Sequence, residues 1–250
     1  MSDRTSSNLH YYVINLARCG DRKERITRRL KHHGLLDRTK FIEAFDKTSP
    51  YLEWFETGNY LPKTSCRAEH ACFLSHIKAL RAFVKDDVPE GIILEDDAMP
   101  RNDFPQVMNS ILEGLGSRKP NLLMLCHLVA AWDGIKQVDV IDKYHVSTIS
   151  PRVFGAQAYW ITREYAQLCL QRLDKSLRNI PDNFVTSELI TRMSNGYFIT
   201  PPLVVEEGVY STLRVGGDLN VHRNYFSSFG LENYTIAEEG EIKTLWQPVG

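Results

Sequence analysis

The sequence predicts an α/β fold, a single domain built on a largely parallel sheet with helices on both faces. Short β-branched and aromatic segments alternate along the chain with segments whose apolar residues recur near the helical period. The chain has 250 residues, of which 43% are hydrophobic, and this is enough for one well-formed core. In sheets of this kind ligands bind at the carboxyl ends of the strands, so residues that directly follow a strand are candidates for function.

The first part of the chain predicts a strand, a helix and a second strand. The first strand is predicted at 11–16, and Asp21 is placed to cap a helix that runs to about His33. The second strand is predicted at 39–44. Residues 46–65 hold two prolines, a glycine and four aromatic side chains, and we predict a long irregular insert there. Loops of that length in compact domains are often functional.

The middle of the chain predicts a long helix followed by a strand that ends in acidic residues. Apolar residues recur with helical spacing over 67–85. A buried type of strand at 92–94 then leads directly into Glu95, Asp96 and Asp97. These three carboxylates are therefore predicted to lie at the carboxyl end of a core strand.

The rest of the chain continues the alternation of helices and strands. Helices are predicted at about 104–115, 164–173 and 184–193, and strands at 122–126, 153–161 and 197–200. One domain over 1–250 is predicted, with a flexible N-terminus at 1–10 and a weakly patterned tail region at 216–250.

The adjacent carboxylates at the end of the strand predict a cation site. Their charges repel one another, which costs stability unless a cation or hydrogen-bond donors neutralise them. Alternation along the strand would direct Glu95 and Asp97 to one side, where they could share Mg²⁺ or Mn²⁺, and Asp96 to the other. The alternative interpretation is a solvated turn after a strand.

The long helix carries cysteines and histidines that superficially suggest zinc. Cys66 with His70 and Cys72 with His76 are each spaced four residues apart, but the two pairs lie on roughly opposite sides of a continuous helix. Four ligands from this helix could not converge without breaking it, so we do not expect zinc here. Ser75 and His76 are adjacent and do not face each other, which disfavours a catalytic pair. His76 could also be only a hydrogen-bonded, half-buried histidine.

Charge and hydropathy exclude several classes of partner and location. The formal net charge of −1 favours neither nucleic acid nor an anionic membrane. No apolar run approaches the roughly 20 residues that span a bilayer, and the N-terminus lacks the apolar stretch of a secretory signal. We therefore expect a cytoplasmic protein with reduced cysteines and no transmembrane segment. Phosphate-binding glycine loops are absent, which leaves a cation or the side chains of Arg18, Arg22 and Arg25 to hold phosphates.

Five segments form an ordered set between about Tyr11 and Pro202. They are Val13-Ile14-Asn15-Leu16 with Arg18, Arg22 and Arg25, the run EHACFLSH at 69–76, Ile93-Leu94-Glu95-Asp96-Asp97, the run GAQAYWITR at 155–163, and Pro181-Asp182. Together they resemble glycosyltransferase family 25, the lipooligosaccharide and collagen galactosyltransferase family.

This resemblance implies a single-domain, Rossmann-like fold of the glycosyltransferase-A type, with a mixed, mainly parallel sheet flanked by helices. It also implies a UDP-hexose donor, most often UDP-galactose, inversion at the anomeric carbon, and a divalent cation, Mn²⁺ or Mg²⁺. The acceptor would be a glycan, such as a lipid-linked precursor in lipopolysaccharide biosynthesis, which could bring peripheral contact with a lipid-linked acceptor.

The resemblance also implies roles for individual residues. Glu95 and Asp97 would lie at the metal and the nucleotide, and Asp96 would either contact the donor sugar or support the residues that do. The residues implied at the nucleotide-sugar are Asn15, Leu16, Arg18, Arg22, Ser75, His76, Glu95 and Asp96.

An inverting transfer needs one general base to deprotonate the acceptor hydroxyl. Asp182 and Glu188 are the candidates, because they follow the 155–163 segment on the side where an acceptor could approach. Asp182 could instead be only a helix cap. Glu206 and Glu207 are a third choice.

The sequence departs from the family pattern in ways that leave alternatives open. Ala71 and Ala158 stand where the family has glycine, so UDP-glucose is an alternative donor. A non-catalytic nucleotide-sugar-binding or adhesion module is a further alternative, although such a module has no need of crowded carboxylates. A metal-dependent phosphoesterase usually draws ligands from several strand ends, and we find one carboxylate cluster.

Overall fold

The protein is described by a computed structural model that covers residues 9–57, 66–118, 120–129, 131–150, 153–176, 195–207 and 224–236. Its helices are α1 (Gly20–His32), α2 (Pro50–Thr57), α3 (Arg67–Lys85), α4 (Phe104–Gly114) and α5 (Arg163–Ser176). Its strands are β1 (His10–Asn15), β2 (Thr39–Glu43), β3 (Glu90–Glu95), β4 (Ala98–Pro100), β5 (Leu122–Met124), β6 (Leu128–Val129), β7 (Gln137–Ile141), β8 (Tyr144–Thr148), β9 (Val153–Phe154), β10 (Ala158–Thr162), β11 (Gly196–Thr200) and β12 (Val204–Glu206).

A mixed sheet of eight strands organises the molecule, in the order β2-β1-β3-β10-β5-β11-β8-β7. The pairing places β2, β1, β3, β5, β11 and β7 in one direction and β10 and β8 in the other. The strands β1, β2 and β3 are parallel neighbours, so their carboxyl ends meet at one edge of the sheet. The predicted α/β fold with a mixed, mainly parallel sheet is confirmed.

The helices pack on both faces of this sheet because strand residues alternate between the faces. One core contains Ile26 and Leu30 of α1 and Met108 of α4. The opposite core contains Leu80 of α3 and Cys169 of α5. Among the described residues, no helix combines the length and the apolar character that a membrane crossing requires.

Three predicted segments differ from the observed elements. The strand predicted at 153–161 is broken at Gly155, whose φ of +118° interrupts the extended chain between β9 and β10. Residues 46–65 were predicted to be irregular, but they contain α2. Phe226 and Tyr234 are completely buried in the core, although they lie in the predicted tail region. The helix predicted at 184–193 lies outside the described residues, and the prediction of one domain over 1–250 stays a prediction.

Candidate active site

A cleft lined by both charged and apolar side chains lies beyond the carboxyl ends of β1 and β3. Its floor and walls come from those two strand ends, from the start of α1, from the segment after β2 and from α3. The lining residues are Ile14, Leu16, Arg18, Arg22, Ala44, Phe45, Lys47, Ala68, Ala71, Cys72, Ser75, His76, Glu95 and Asp96. This is the edge of the sheet where ligands bind in α/β folds.

Asp96 is held by groups from the end of β1 and from α1. Asn15 donates from Nδ2 to a carboxylate oxygen of Asp96 at 2.7 Å and to the Cys19 carbonyl at 3.2 Å. Arg22, whose side chain is almost fully buried, forms an ion pair with Asp96. Burial raises the pKa of Asp96, although Arg22 and the Asn15 hydrogen bond act in the opposite direction. Asp96 is therefore fixed to the elements that form the floor of the cleft.

Asp97 shares the same arginine but leaves one oxygen unpaired. Its Oδ2 atom lies 2.7 Å from Arg22, while its Oδ1 atom is buried and has no hydrogen-bond partner within the described ranges. Burial raises the pKa of Asp97 well above its usual value, and three neighbouring carboxylates add to this rise against the effect of Arg22. The strand ends at Glu95, so the strand alternation predicted for Glu95 and Asp97 does not continue: Arg22 contacts both Asp96 and Asp97.

Glu95 faces α3 instead. Its carboxylate Oε1 lies 3.3 Å from His76 Nε2, and His76 Nδ1 lies 3.2 Å from the hydroxyl of Tyr159. The rings of His76 and Tyr159 are stacked, with centroids 5.8 Å apart. Burial opposes ionisation of Glu95, but His76 and then Arg22 outweigh burial and lower the pKa of this carboxyl. The hydrogen-bonded, buried histidine that we considered as an alternative for His76 is thus present, and it also borders the cleft.

Ser75 positions a wall of the cleft. Its hydroxyl donates to the Ala71 carbonyl at 2.6 Å and accepts from the backbone N–H of Phe45 at 2.8 Å. The segment after β2 is thereby attached to α3. Arg18 at the cleft mouth pairs with Asp46 of the same segment. The Ser75 hydroxyl therefore supports the backbone of the cleft wall. Among the hydrogen bonds of the described residues, it has no basic side chain that could activate it as a nucleophile.

A second group of charges ties the floor of the cleft to a distant part of the chain. Glu207 is buried, and its Oε1 atom lies 2.7 Å from Arg25 and 3.0 Å from Arg29 of α1. Its backbone N–H donates to the Asp97 carbonyl at 2.8 Å. Glu207 is therefore engaged in structural ion pairs, and these disfavour Glu207 as the general base.

Two of the carboxylates have oxygens that a divalent cation could engage. Asp97 retains a buried oxygen that has no partner among the described residues, and the Glu95 side chain is 19% exposed at the cleft. Carboxylate oxygens are the ligands that Mg²⁺ and Mn²⁺ prefer. The three carboxylates already have partners, which are Arg22, Asn15 and His76. Repulsion between the carboxylates therefore does not by itself require a cation. The unpaired oxygen is the observation that favours it.

Eight of the predicted site residues are found together. Leu16, Arg18, Arg22, Ser75, His76, Glu95 and Asp96 line the cleft, and Asn15 lies directly behind Asp96. Asp97 lies next to them through Arg22. Asp182 and Glu188, the candidate general bases, lie outside the described residues. Phe45, Lys47, Cys72 and Tyr159 also belong to the site or its immediate support. Phe45 and Lys47 lie outside the recognised motifs, whereas Cys72 and Tyr159 lie within them but were given no role in the site.

A cleft at the carboxyl ends of parallel strands, with carboxylates and arginines at its floor, has the position of a ligand site in an α/β protein. The sequence model of glycosyltransferase family 25 (LPS biosynthesis protein) matches residues 8–186, which is more than half of the chain. The chain belongs to this family and is a glycosyltransferase, so the resemblance found in the sequence is confirmed.

Comparison with other proteins adds little to this assignment. No curated protein sequence is significantly similar to the chain. Among solved structures, the crystal structure of mannose-1-phosphate geranyltransferase from Thermus thermophilus aligns with a TM-score of 0.41 and 9% identity. The alignment covers 77% of this chain and 73% of that one, and the likeness is too weak to carry an argument.

Proposed function

We propose that the protein transfers a hexose from a UDP-sugar, with UDP-galactose the first choice, to a glycan acceptor in a metal-dependent reaction that inverts the anomeric carbon. The family description supports an acceptor in lipopolysaccharide biosynthesis, and a lipid-linked precursor at the cytoplasmic face of a membrane is the form we propose. The observation that carries the proposal is the set of carboxylates at the end of β3. Glu95 and Asp96 line the cleft, and Asp97 beside them keeps a buried oxygen that has no partner among the described residues.

Glu95 and Asp97 are the residues proposed to hold Mn²⁺ or Mg²⁺. A bound divalent cation would neutralise the charge that develops on the UDP leaving group. Asp96 is already held by Asn15 and Arg22, and it is proposed to contact the donor sugar. Its fixed position matters because a preorganised group does not need to reorient as the reaction proceeds.

The remaining cleft residues are proposed to bind the nucleotide. Leu16 and Arg18 lie at its mouth after β1, and Lys47 adds a positive charge from the facing segment. Ser75 and His76 are proposed to maintain the donor pocket, because Ser75 fixes the backbone of Phe45 and His76 orients Glu95. The general base is proposed to be Asp182 or Glu188, which would remove the proton of the acceptor hydroxyl.

UDP release without an acceptor tests the proposal most directly. The full chain is incubated with UDP-galactose or UDP-glucose, each with Mn²⁺ and with EDTA. We expect slow release of UDP from one donor with Mn²⁺ and none with EDTA. Release from UDP-glucose alone would replace galactose by the alternative donor, and the anomeric configuration of the sugar product, read by NMR, would test inversion.

Asp97→Asn tests the metal assignment. We expect it to lower Mn²⁺-dependent UDP release by about 10²-fold or more, because it removes a proposed ligand charge while keeping the side-chain shape. Asp37→Asn changes an exposed carboxylate in the turn before β2, and this control is expected to retain wild-type activity. Wild-type activity in Asp97→Asn would reject the metal role. Binding of UDP and Mn²⁺ without any cleavage, including with glycan acceptors, would favour the non-catalytic module.

A further inference from the structure

Three potential ligands of a soft metal ion meet at the wall of the cleft. Cys72, His76 and Glu95 each place one ligand atom, a sulfur, a ring nitrogen and a carboxylate oxygen, within 4.8 Å of the other two. Cys72 and His76 lie one helical turn apart on α3, and Glu95 ends the neighbouring β3. The zinc site not expected from the sequence needed four ligands from one helix, whereas here a strand supplies the third ligand.

The separations are close to those of a tetrahedral centre. Bonds of about 2.3 Å to sulfur and 2.0–2.1 Å to nitrogen or oxygen place tetrahedral ligands about 3.3–3.6 Å apart. His76 Nε2 and Glu95 Oε1 already lie 3.3 Å apart. The other separations are at most 4.8 Å, so the ligand atoms would have to approach one another by on the order of 1 Å when an ion binds.

The surroundings of His76 also suit a metal ligand. A ligating histidine usually donates its second ring N–H to a neighbouring oxygen, which fixes the ring and exposes the other nitrogen to the metal. The Tyr159 hydroxyl lies 3.2 Å from His76 Nδ1 and its ring stacks on the imidazole. Metal binding requires the ring proton on Nδ1, so that Nε2, which is hydrogen-bonded to Glu95 in the metal-free chain, becomes a ligand.

We propose that Cys72, His76 and Glu95 form a binding site for Zn²⁺ or a similar soft divalent ion, with a fourth position open to the cleft. Sulfur and imidazole ligands select Zn²⁺ and Co²⁺ over Mg²⁺ and Mn²⁺, which prefer oxygen alone. Binding forms a metal–thiolate bond and releases the Cys72 thiol proton to solvent. The ion enters from the cleft, which Cys72, His76 and Glu95 all line.

This site is separate in chemistry from the cation proposed for the donor phosphates, although both involve Glu95. If the proposed transfer function is correct, Zn²⁺ draws Glu95 away from that cation and inhibits transfer. The binding site itself does not rest on the proposed function. It is therefore tested without any nucleotide-sugar, so that failure of one proposal does not decide the other.

Cobalt spectroscopy tests the site. The full metal-free chain is titrated with Co²⁺, and the near-ultraviolet absorption of a cobalt–thiolate bond is recorded together with the visible bands of a tetrahedral ion. We expect one equivalent of Co²⁺ to give both signals and Zn²⁺ to abolish them. The Cys72→Ser variant should lose the thiolate signal, whereas Cys66→Ser, which changes an exposed thiol at the start of the same helix, should keep it.

Two further measurements keep the test decisive if Cys72→Ser fails to fold. Zn²⁺ should protect Cys72, but not the exposed Cys66, from alkylation in the wild-type chain, as read by mass spectrometry. Tyr159→Phe should keep the thiolate signal and lower Co²⁺ affinity by about 10-fold, because it removes the partner of His76 Nδ1. A wild-type chain with no thiolate signal, or a signal that persists in folded Cys72→Ser, would overturn the proposal.

Discussion

His127 is held neutral inside the protein. Its side chain is completely buried, its ring centroid lies 4.7 Å from that of Phe198, and its Nε2 atom lies 3.4 Å from the Thr200 hydroxyl. Burial lowers the pKa of His127 to about 3, because the charged imidazolium would lose its hydration. The unfolded chain binds a proton at this residue near pH 6.5, and the folded chain does not.

The consequence is a loss of stability in mild acid. Above pH 6.5 the imidazole is neutral in both states and has no effect on the pH dependence. Below it, the unfolded state gains a proton, and at about pH 5.5 the folded state loses about 1.4 kcal/mol relative to its stability at neutral pH. We expect the free energy of unfolding of His127→Gln to change less over this acid range than that of the wild type, as measured by urea denaturation.

The control for this prediction is His145→Gln, which changes an exposed histidine in β8. Its pH dependence is expected to match that of the wild type. The free energy of unfolding of His127→Gln should still fall somewhat in acid, because burial also lowers the pKa of His33, to about 4. If the free energy of unfolding of His127→Gln depends on pH as steeply as that of the wild type, His127 is not the cause of the acid destabilisation.

At the same scale, the site shows what a sequence can reveal about individual residues. Glu95, Asp96 and His76 were predicted, because a motif at a strand end or on a helix face marks them directly. Tyr159 was not identified as a site residue, since its contact with His76 spans 83 positions and depends on the pairing of β10 with β3. The sharing of Arg22 by two carboxylates also depends on where β3 stops, which hydrophobic pattern does not determine.

At the scale of elements, the break between β9 and β10 depends on one glycine. Gly155 has a φ of +118°, and a Cβ atom there would lie 3.3 Å from the Cys126 carbonyl oxygen and 3.3 Å from the His127 Cα. Both atoms belong to backbone that cannot move without disturbing the segment after β5. The side chain of Gln157 would also be approached, at 2.8 Å, but it can rotate away.

Gly155→Ala is therefore expected to lower the free energy of unfolding by about 1–3 kcal/mol, because it combines an unfavourable backbone conformation with close backbone contacts. Chemical denaturation followed by circular dichroism measures the change. Gly20→Ala is the matched control, since Gly20 has no atom within 4 Å of the added Cβ. Equal stability of the two variants would contradict the interpretation of Gly155.

The elements that the sequence predicted well have strong local patterns. The helix predicted at 67–85 coincides with α3, whose apolar residues follow the helical spacing seen in the sequence. The hairpin of β7 and β8 was missed because its strands are partly exposed at the edge of the sheet and polar residues interrupt their pattern. Its turn contains Asp142 with a φ of +53°, and aspartate at such a position is a weaker signal than glycine.

At the scale of the whole molecule, buried charges join segments of the chain that are far apart in sequence. Arg29 and Glu207 are each about 1% exposed and lie 178 positions apart in sequence. Arg29 also donates to the Ala98 carbonyl at 3.3 Å, and β12, which ends at Glu206, pairs with β4. The start of the fold, the carboxylate segment and the last strand are thus connected in one buried group.

We expect Glu207→Gln to destabilise the fold by about 3 kcal/mol or more, because it leaves Arg25 and Arg29 without their buried counter-charge. The measurement is the free energy of unfolding in urea. Glu24→Gln removes an exposed partner of Arg28 and is expected to change stability by less than about 0.5 kcal/mol. If Glu207→Gln lowers the free energy of unfolding no more than Glu24→Gln does, the buried ion pairs contribute little to stability.

The reversed direction of β10 brings a loop to the cleft that a purely parallel sheet would place at the opposite edge. The chain enters β10 where β3 ends, and the Gln157 carbonyl accepts a hydrogen bond from the Glu95 N–H at 2.8 Å. Insertions or deletions ahead of Gln157 can thus reshape the rim around the carboxylates while every central strand keeps its register. Such changes would leave the sheet intact, but they would have to keep Gly155, whose backbone conformation and close approach to the segment after β5 hold this connection in place.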